Sequence, residues 1–194
     1  MERDEAEGPS TAWAIVSDVP KRDVTATPRS GADVVAGLVS ARQRVTAAVA
    51  AALEELRPAS ARISVTVNPP HDNELDRART HLEKSRLTAA EVGRRLGLPV
   101  SESELVGWVS EWPVSARGDA GESVLSALPA TRQAELMIDV AEWLQDVIAD
   151  EGTSDPVPPC PGHRHSMRPQ IHQEQAWWVC PVDGPVRPWQ VFTE

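Results

Sequence analysis

Tyrosine is absent from this chain, phenylalanine occurs once, and lysine occurs twice against seventeen arginines. With so few other aromatics, a buried core has to be built from Val, Leu, Ala and the seven tryptophans. The Arg-over-Lys bias, with abundant Ala, Val, Pro and Gly, points to a high-GC bacterial or phage coding origin. Positive charge is also scarce: 29 acidic side chains face 19 basic ones, a formal net charge of −10. An acidic chain gains no general attraction to phosphate backbones or to anionic membranes, so nucleic acid is disfavoured as a partner. No apolar run approaches the roughly 18 residues of a membrane span. The opening MERDEAEGPS has neither a basic segment nor the apolar stretch of an export signal, and a cytoplasmic location is expected. There is no P-loop, no G-x-G-x-x-G, no H-E-x-x-H and no G-x-S-x-G, which leaves no recognised catalytic constellation. Cysteine occurs only twice. In a reducing compartment, two cysteines are expected as thiols or metal ligands before a disulfide.

What is present is largely helical patterning. Residues 1–11 read as a disordered start, followed by short strand candidates at Trp13–Val16 and at Ile63, Val65 and Val67, the latter stopped by Asn68-Pro69-Pro70. Between Ala32 and Leu56 an apolar stripe recurs at helical spacing and ends before Pro58. A second helix is expected from about Asn73 to Ser85, with Leu75, Ala78 and Leu82 on one face. Thr88 and Glu91 make a capping box for a short helix that Gly97 closes. Ser101 and Glu104 repeat the device ahead of Leu105, Trp108, Val109 and Trp112. The most regular helix follows Pro129, carries Leu136, Met137, Val140, Trp143, Leu144, Val147 and Ile148, and stops at Gly152. The expected fold class is therefore mainly α with minor β. It comprises a helical domain over residues 12–151, a Pro-rich linker at 152–159, and a small β module at 160–194.

That last segment holds both cysteines and three of the five histidines: Cys160, Cys180, His163, His165 and His172. It reads C-P-G-H at 160–163 and C-P-V-D-G at 180–184, with room for a hairpin between them. Both resemble the C-P-x-C-G knuckles of zinc-ribbon and rubredoxin-like modules, and that resemblance implies a first ligand at the end of a strand, a Pro that shapes the bend, and a residue three further on that points back at the metal. Cys160, His163, Cys180 and Asp183 are the expected ligands of one structural zinc ion, with His165 and His172 as alternates. A segment this short buries too little apolar surface to hold itself together, so a metal contribution of roughly 10–16 kcal/mol fits a physical need. The alternatives are a metal-free hairpin packed through Trp177, Trp178 and Trp189, and a Cys160–Cys180 disulfide.

The two knuckles resemble those of zinc-ribbon and rubredoxin-like modules. The tail as a whole resembles those of high-GC bacterial proteins that end in C-P-G-H…W-x-C-P, carried here by Cys160, Pro161, Gly162, His163, Trp178, Cys180 and Pro181. That resemblance implies a metal-binding tail and no defined activity.

Thr88 to Leu98 also resembles the first half of a helix-turn-helix, but the segment that would read DNA, SESELVGWVSEW, carries three acids and no base. His71-Asp72 and His81 have no identifiable partners and read as surface residues. The chain is thus read as a non-enzymatic interaction or regulatory protein whose partner is another protein. The alternatives are nucleic-acid binding through Arg164, Arg168, Arg187 and exposed Trp177 or Trp189, and a metal-dependent hydrolase with Glu174 as base.

Overall fold

A computed structural model describes residues 38–190. The expected disordered start, the strand at Trp13–Val16 and the first part of the Ala32–Leu56 helix lie outside the described residues.

Helix α1 spans Val39–Glu55 and buries Ala41, Val45, Ala48, Val49 and Ala52, a stripe at i, i+4, i+7, i+8 and i+11. Alanine dominates that stripe, which lets α1 lie close against the last helix, α5 (Gln133–Asp150). Helix α5 offers Leu136, Met137, Val140, Ala141, Leu144, Val147 and Ile148 in return. Strand β1 (Ser64–Val67) stops at the expected Asn-Pro-Pro. Three helices follow: α2 (Asp72–Ser85), α3 (Ala89–Leu96) and the short α4 (Leu105–Val109). At the start of α3 the Thr88 side chain accepts from the Glu91 N–H while the Glu91 carboxylate accepts from the Thr88 N–H. Gly97 ends the helix at φ 70°, as the sequence predicts.

The chain then departs from the expected helix. Pro113 has no N–H to give and disfavours helical backbone at Trp112, so α4 ends at Val109, and Ser110 is extended with its hydroxyl bonded to the Val106 carbonyl at 2.7 Å. Trp112 opens strand β2 (Trp112–Gly118), which pairs with β1 on one side and β3 (Gly121–Ala127) on the other, all antiparallel. Trp112, Val114 and Ala116 alternate inward along β2, and the Trp112 indole N–H donates to the Gly107 carbonyl at 2.8 Å. The β2–β3 turn is held by Glu151, beyond the end of α5, whose carboxylate accepts from the N–H groups of Asp119 and Ala120 at 2.8 and 3.0 Å. A Cβ at Gly118 would stand 2.2 Å from that carboxylate, so any larger residue there has to displace the Glu151 side chain from the turn.

The C-terminal region is a second three-stranded antiparallel sheet, β4 (Arg168–His172), β5 (Gln175–Cys180) and β6 (Gly184–Pro188), in that order. Gln173 and Glu174 turn the β4–β5 hairpin at φ 51° and 63°, the left-handed pair of a tight two-residue loop. This sheet packs against α5 through β4 and β5.

Two expectations are corrected. With 43% helix, 24% strand and two three-stranded sheets, the class is mixed α and β, not mainly helical with minor β. The C-terminal segment is a sheet joined to the main core, not a ribbon hairpin. Cys160, Met167, Ala176, Trp178, Cys180 and Trp189 belong to the same buried cluster as α1, α5 and β2. The junction is polar as well as apolar. Glu55 at the end of α1, its side chain 6% exposed, accepts from the Trp178 indole N–H at 2.8 Å, the Gln190 backbone N–H at 2.7 Å and the Arg187 guanidinium at 2.7 Å. Trp178 stacks on Trp189 with ring centroids 5.1 Å apart and planes 23° apart.

Candidate metal centre

Residues 158–167 double back on themselves. Met167 N–H donates to the Pro158 carbonyl, Pro159 and Ser166 form an isolated antiparallel bridge, and Cys160 N–H donates to the His165 carbonyl. Inside that loop Cys160-Pro161-Gly162-His163 makes a tight turn, the His163 N–H returning to the Cys160 carbonyl, with Gly162 at φ 106°, a conformation that favours glycine. His163 and His165, two residues apart, lie on the same side, their rings stacked at 5.0 Å. One side chain secures the loop to α5: Gln145 Nε2 donates to the carbonyls of both Val157 and Met167, at 2.6 and 2.9 Å.

Cys180 arrives from the other direction, at the end of β5. The turn that follows aims the backbone N–H groups of Val182 and Asp183 at Cys180 Sγ, at 3.4 and 3.3 Å, and Gly184 (φ 89°) lets β6 begin opposite Cys180. Burial pushes the Cys160 thiol up, and the neighbouring Cys180 sulfur adds to the effect. Burial pushes Cys180 up too, but the N–H groups of Asp183 and Val182 outweigh it and hold this thiol below its ordinary value.

The four ligand atoms of Cys160, His163, His165 and Cys180 all lie within 4.8 Å of one another, and the group can hold a metal ion. His163 Nδ1 is 3.5 Å from Cys160 Sγ and 3.4 Å from Cys180 Sγ, and His165 Nε2 is 3.8 Å from Cys180 Sγ. Bond lengths of about 2.3 Å to sulfur and 2.0–2.1 Å to nitrogen at a tetrahedral angle place S and N about 3.6 Å apart. The three separations bracket that value. His165 Nδ1 stands 3.2 Å from the Ser166 carbonyl, so with its proton there Nε2 is left as the free lone pair. Both sulfurs are buried and both cysteines are free thiols, so the disulfide alternative is not the state described.

Of the expected ligands, Cys160, His163 and Cys180 come together, and His165, an alternate, joins them. Asp183 stands beside the group with a side chain 68% exposed and its carboxylate 3.6 Å from His163 Nδ1. Its closest contribution to the cluster is its backbone N–H to Cys180. His172 lies at the far end of β4, edge-on to Trp177 at 5.0 Å, outside the cluster. The repeat of the C-P-x-(H/D) form drew attention to Asp183, and the H-x-H spacing of 163 and 165 is the signal in the sequence for the histidine pair that the fold brings together.

Of the residues singled out for nucleic acid, Trp189 is buried and Arg187 is paired with Glu55, while Arg164 and Arg168 are exposed. Glu174 sits in the β4–β5 turn, at the opposite end of β5 from Cys180. At about 3.4 Å per residue that separation is about 20 Å. His71 and His81 are exposed at the start and toward the end of α2. No helix among the described residues is long and apolar enough to cross a membrane.

Comparison with family models, with curated proteins and with solved structures returned no match to this chain.

Proposed function

We propose that Cys160, His163, His165 and Cys180 form a structural zinc site, and that the protein is a non-enzymatic interaction or regulatory protein whose C-terminal sheet the metal secures. The observation that carries this is the convergence of four ligand atoms within 4.8 Å of one another, with three sulfur–nitrogen separations of 3.5, 3.4 and 3.8 Å near the tetrahedral value. Two thiolates and two neutral imidazoles around Zn2+ sum to zero charge, which suits a site with both sulfurs buried. Softer thiolate ligands together with imidazole favour zinc over magnesium or calcium. Four protein ligands fill a tetrahedron and leave no position for a reacting water, and Glu174 is far from it. Both points favour a structural role over hydrolysis.

Elemental analysis of protein purified without chelators tests the site. Wild type and Asp183→Asn are expected to carry about one equivalent of zinc, and Cys180→Ser and His165→Ala to carry much less. Wild type with under about a tenth of an equivalent would sink the metal reading. Loss of zinc in Asp183→Asn with retention in His165→Ala would reassign the fourth ligand.

A further inference from the structure

A groove of about 680 Å3 runs beside the metal cluster, between the C-terminal half of α5, residues 153–157 and the two knuckles, and His165 forms part of its wall. Its size is that of ligand sites in general. Four charges line it: Arg164 and Arg168 on the knuckle side, Asp146 on α5 and Asp155 in the connecting segment. None of the four enters an ion pair among the described residues, although opposite charges share one groove. Exposed Val182, at 71%, adds apolar surface to the rim.

The wall itself carries unused hydrogen-bonding capacity. Thr153, Ser154 and Asp155 make no backbone hydrogen bond among the described residues, and the Thr153 hydroxyl is buried without a partner. Thr153 and Ser154, ahead of the bend at Asp155, leave N–H and C=O groups that the main chain of another peptide can pair with. Unpaired opposite charges on the two sides call for an occupant that brings both complements.

We propose that this groove binds a short extended peptide segment of a partner protein, one that carries both a carboxylate and a basic side chain. The carboxylate faces Arg164 and Arg168, the basic group faces Asp146 and Asp155, and the main chain pairs with residues 153 and 154. The proposal rests on the reading of the chain as an interaction protein and names the surface and the chemistry of that interaction.

The test uses the full chain on an array of acetylated pentapeptides that place one Asp or Glu and one Lys or Arg at every spacing. All-acidic, all-basic and uncharged pentapeptides stand beside them. Mixed-charge peptides are expected to bind best, and Arg168→Glu to weaken that binding at least tenfold. The exchange Asp146→Arg with Arg168→Asp is expected to shift preference toward peptides with the two charges in reversed order. Equal signal from the uncharged set, strongest binding by the all-acidic set, or charge variants without effect would each overturn the proposal. Zinc is measured in every preparation: full zinc with no peptide selectivity overturns the groove alone, whereas wild type without zinc overturns the metal reading.

Discussion

Replacing Glu55 is expected to weaken the join between α1 and the C-terminal sheet by an amount that can be worked from its three contacts. The Trp178 indole N–H is the costly one, because the indole is fully buried and nothing else nearby accepts from it. A hydrogen bond to a charged acceptor contributes about 1.5–3 kcal/mol, and a stranded buried donor costs a similar amount. The Gln190 N–H is exposed and regains water, so its loss counts for about 0.5 kcal/mol. Arg187 is 41% exposed and rehydrates as well, and its ion pair adds about 0.5 kcal/mol after screening. Glu55→Ala is therefore expected to lose about 2.5–4 kcal/mol, and Glu55→Gln about half as much, since the amide oxygen keeps one acceptor. Urea unfolding with zinc held in excess, followed by tryptophan fluorescence and by far-UV circular dichroism, reads this out. With a slope of about 2 kcal/mol/M, Glu55→Ala shifts the midpoint down by about 1.5 M. Arg187→Ala is expected to shift it by under 0.5 M. A Glu55→Ala change smaller than that of Arg187→Ala would refute the assignment of the energy to the indole bond. Two separate transitions in wild type would refute the shared core.

Three further outcomes follow from other contacts. The hydroxyls of Ser40 and Ser101, in that order, hold the Glu104 carboxyl below its ordinary value. A depressed carboxyl stabilises the fold above its unfolded value, about 4.3, and loses that contribution as pH falls through the folded value. Ser40→Ala is thus expected to cost about 0.5–1 kcal/mol at pH 7, the low figure reflecting partial exposure, with the gap closing in melts below about pH 4. Gly118→Ala is expected to push the Glu151 carboxylate off the β2–β3 turn and cost about 1–2 kcal/mol in thermal unfolding. In a Glu151→Ala background the same change is expected to cost much less, and equal costs in both would reject the steric cause. Thr88→Ala is expected to lose about 1 kcal/mol by opening the α3 capping box, measurable in the same melts.

The helices were legible where local chemistry and burial agreed. Thr88, Glu91 and Gly97 bounded α3, and the apolar spacing of α5 located both its face and its end. Strands β2 and β3 were obscured because half of their inward positions are small: Ala116 and Ala127 carry little hydrophobic signal, and Ser and Gly interrupt the alternation. Pro113 was the readable warning that the segment through Trp112 could not be helix. Strand β6, Gly-Pro-Val-Arg-Pro, carries two prolines, and only its pairing with β5 makes it a strand. At the candidate metal centre the cysteine pair was legible from composition. The approach of His165 to Cys180 was not, because it depends on the backbone reversal bridged at Pro159 and Ser166 and on β5 bringing Cys180 back to that loop.

The stacked indoles of Trp178 and Trp189 give the junction an optical identity of its own. Two near-parallel chromophores 5.1 Å apart couple in the excited state, and one of them lies two residues before Cys180 on the same strand. Their coupled circular-dichroism band therefore reports on the seam between α1, the second sheet and the turn that follows Cys180. It can be watched without a label.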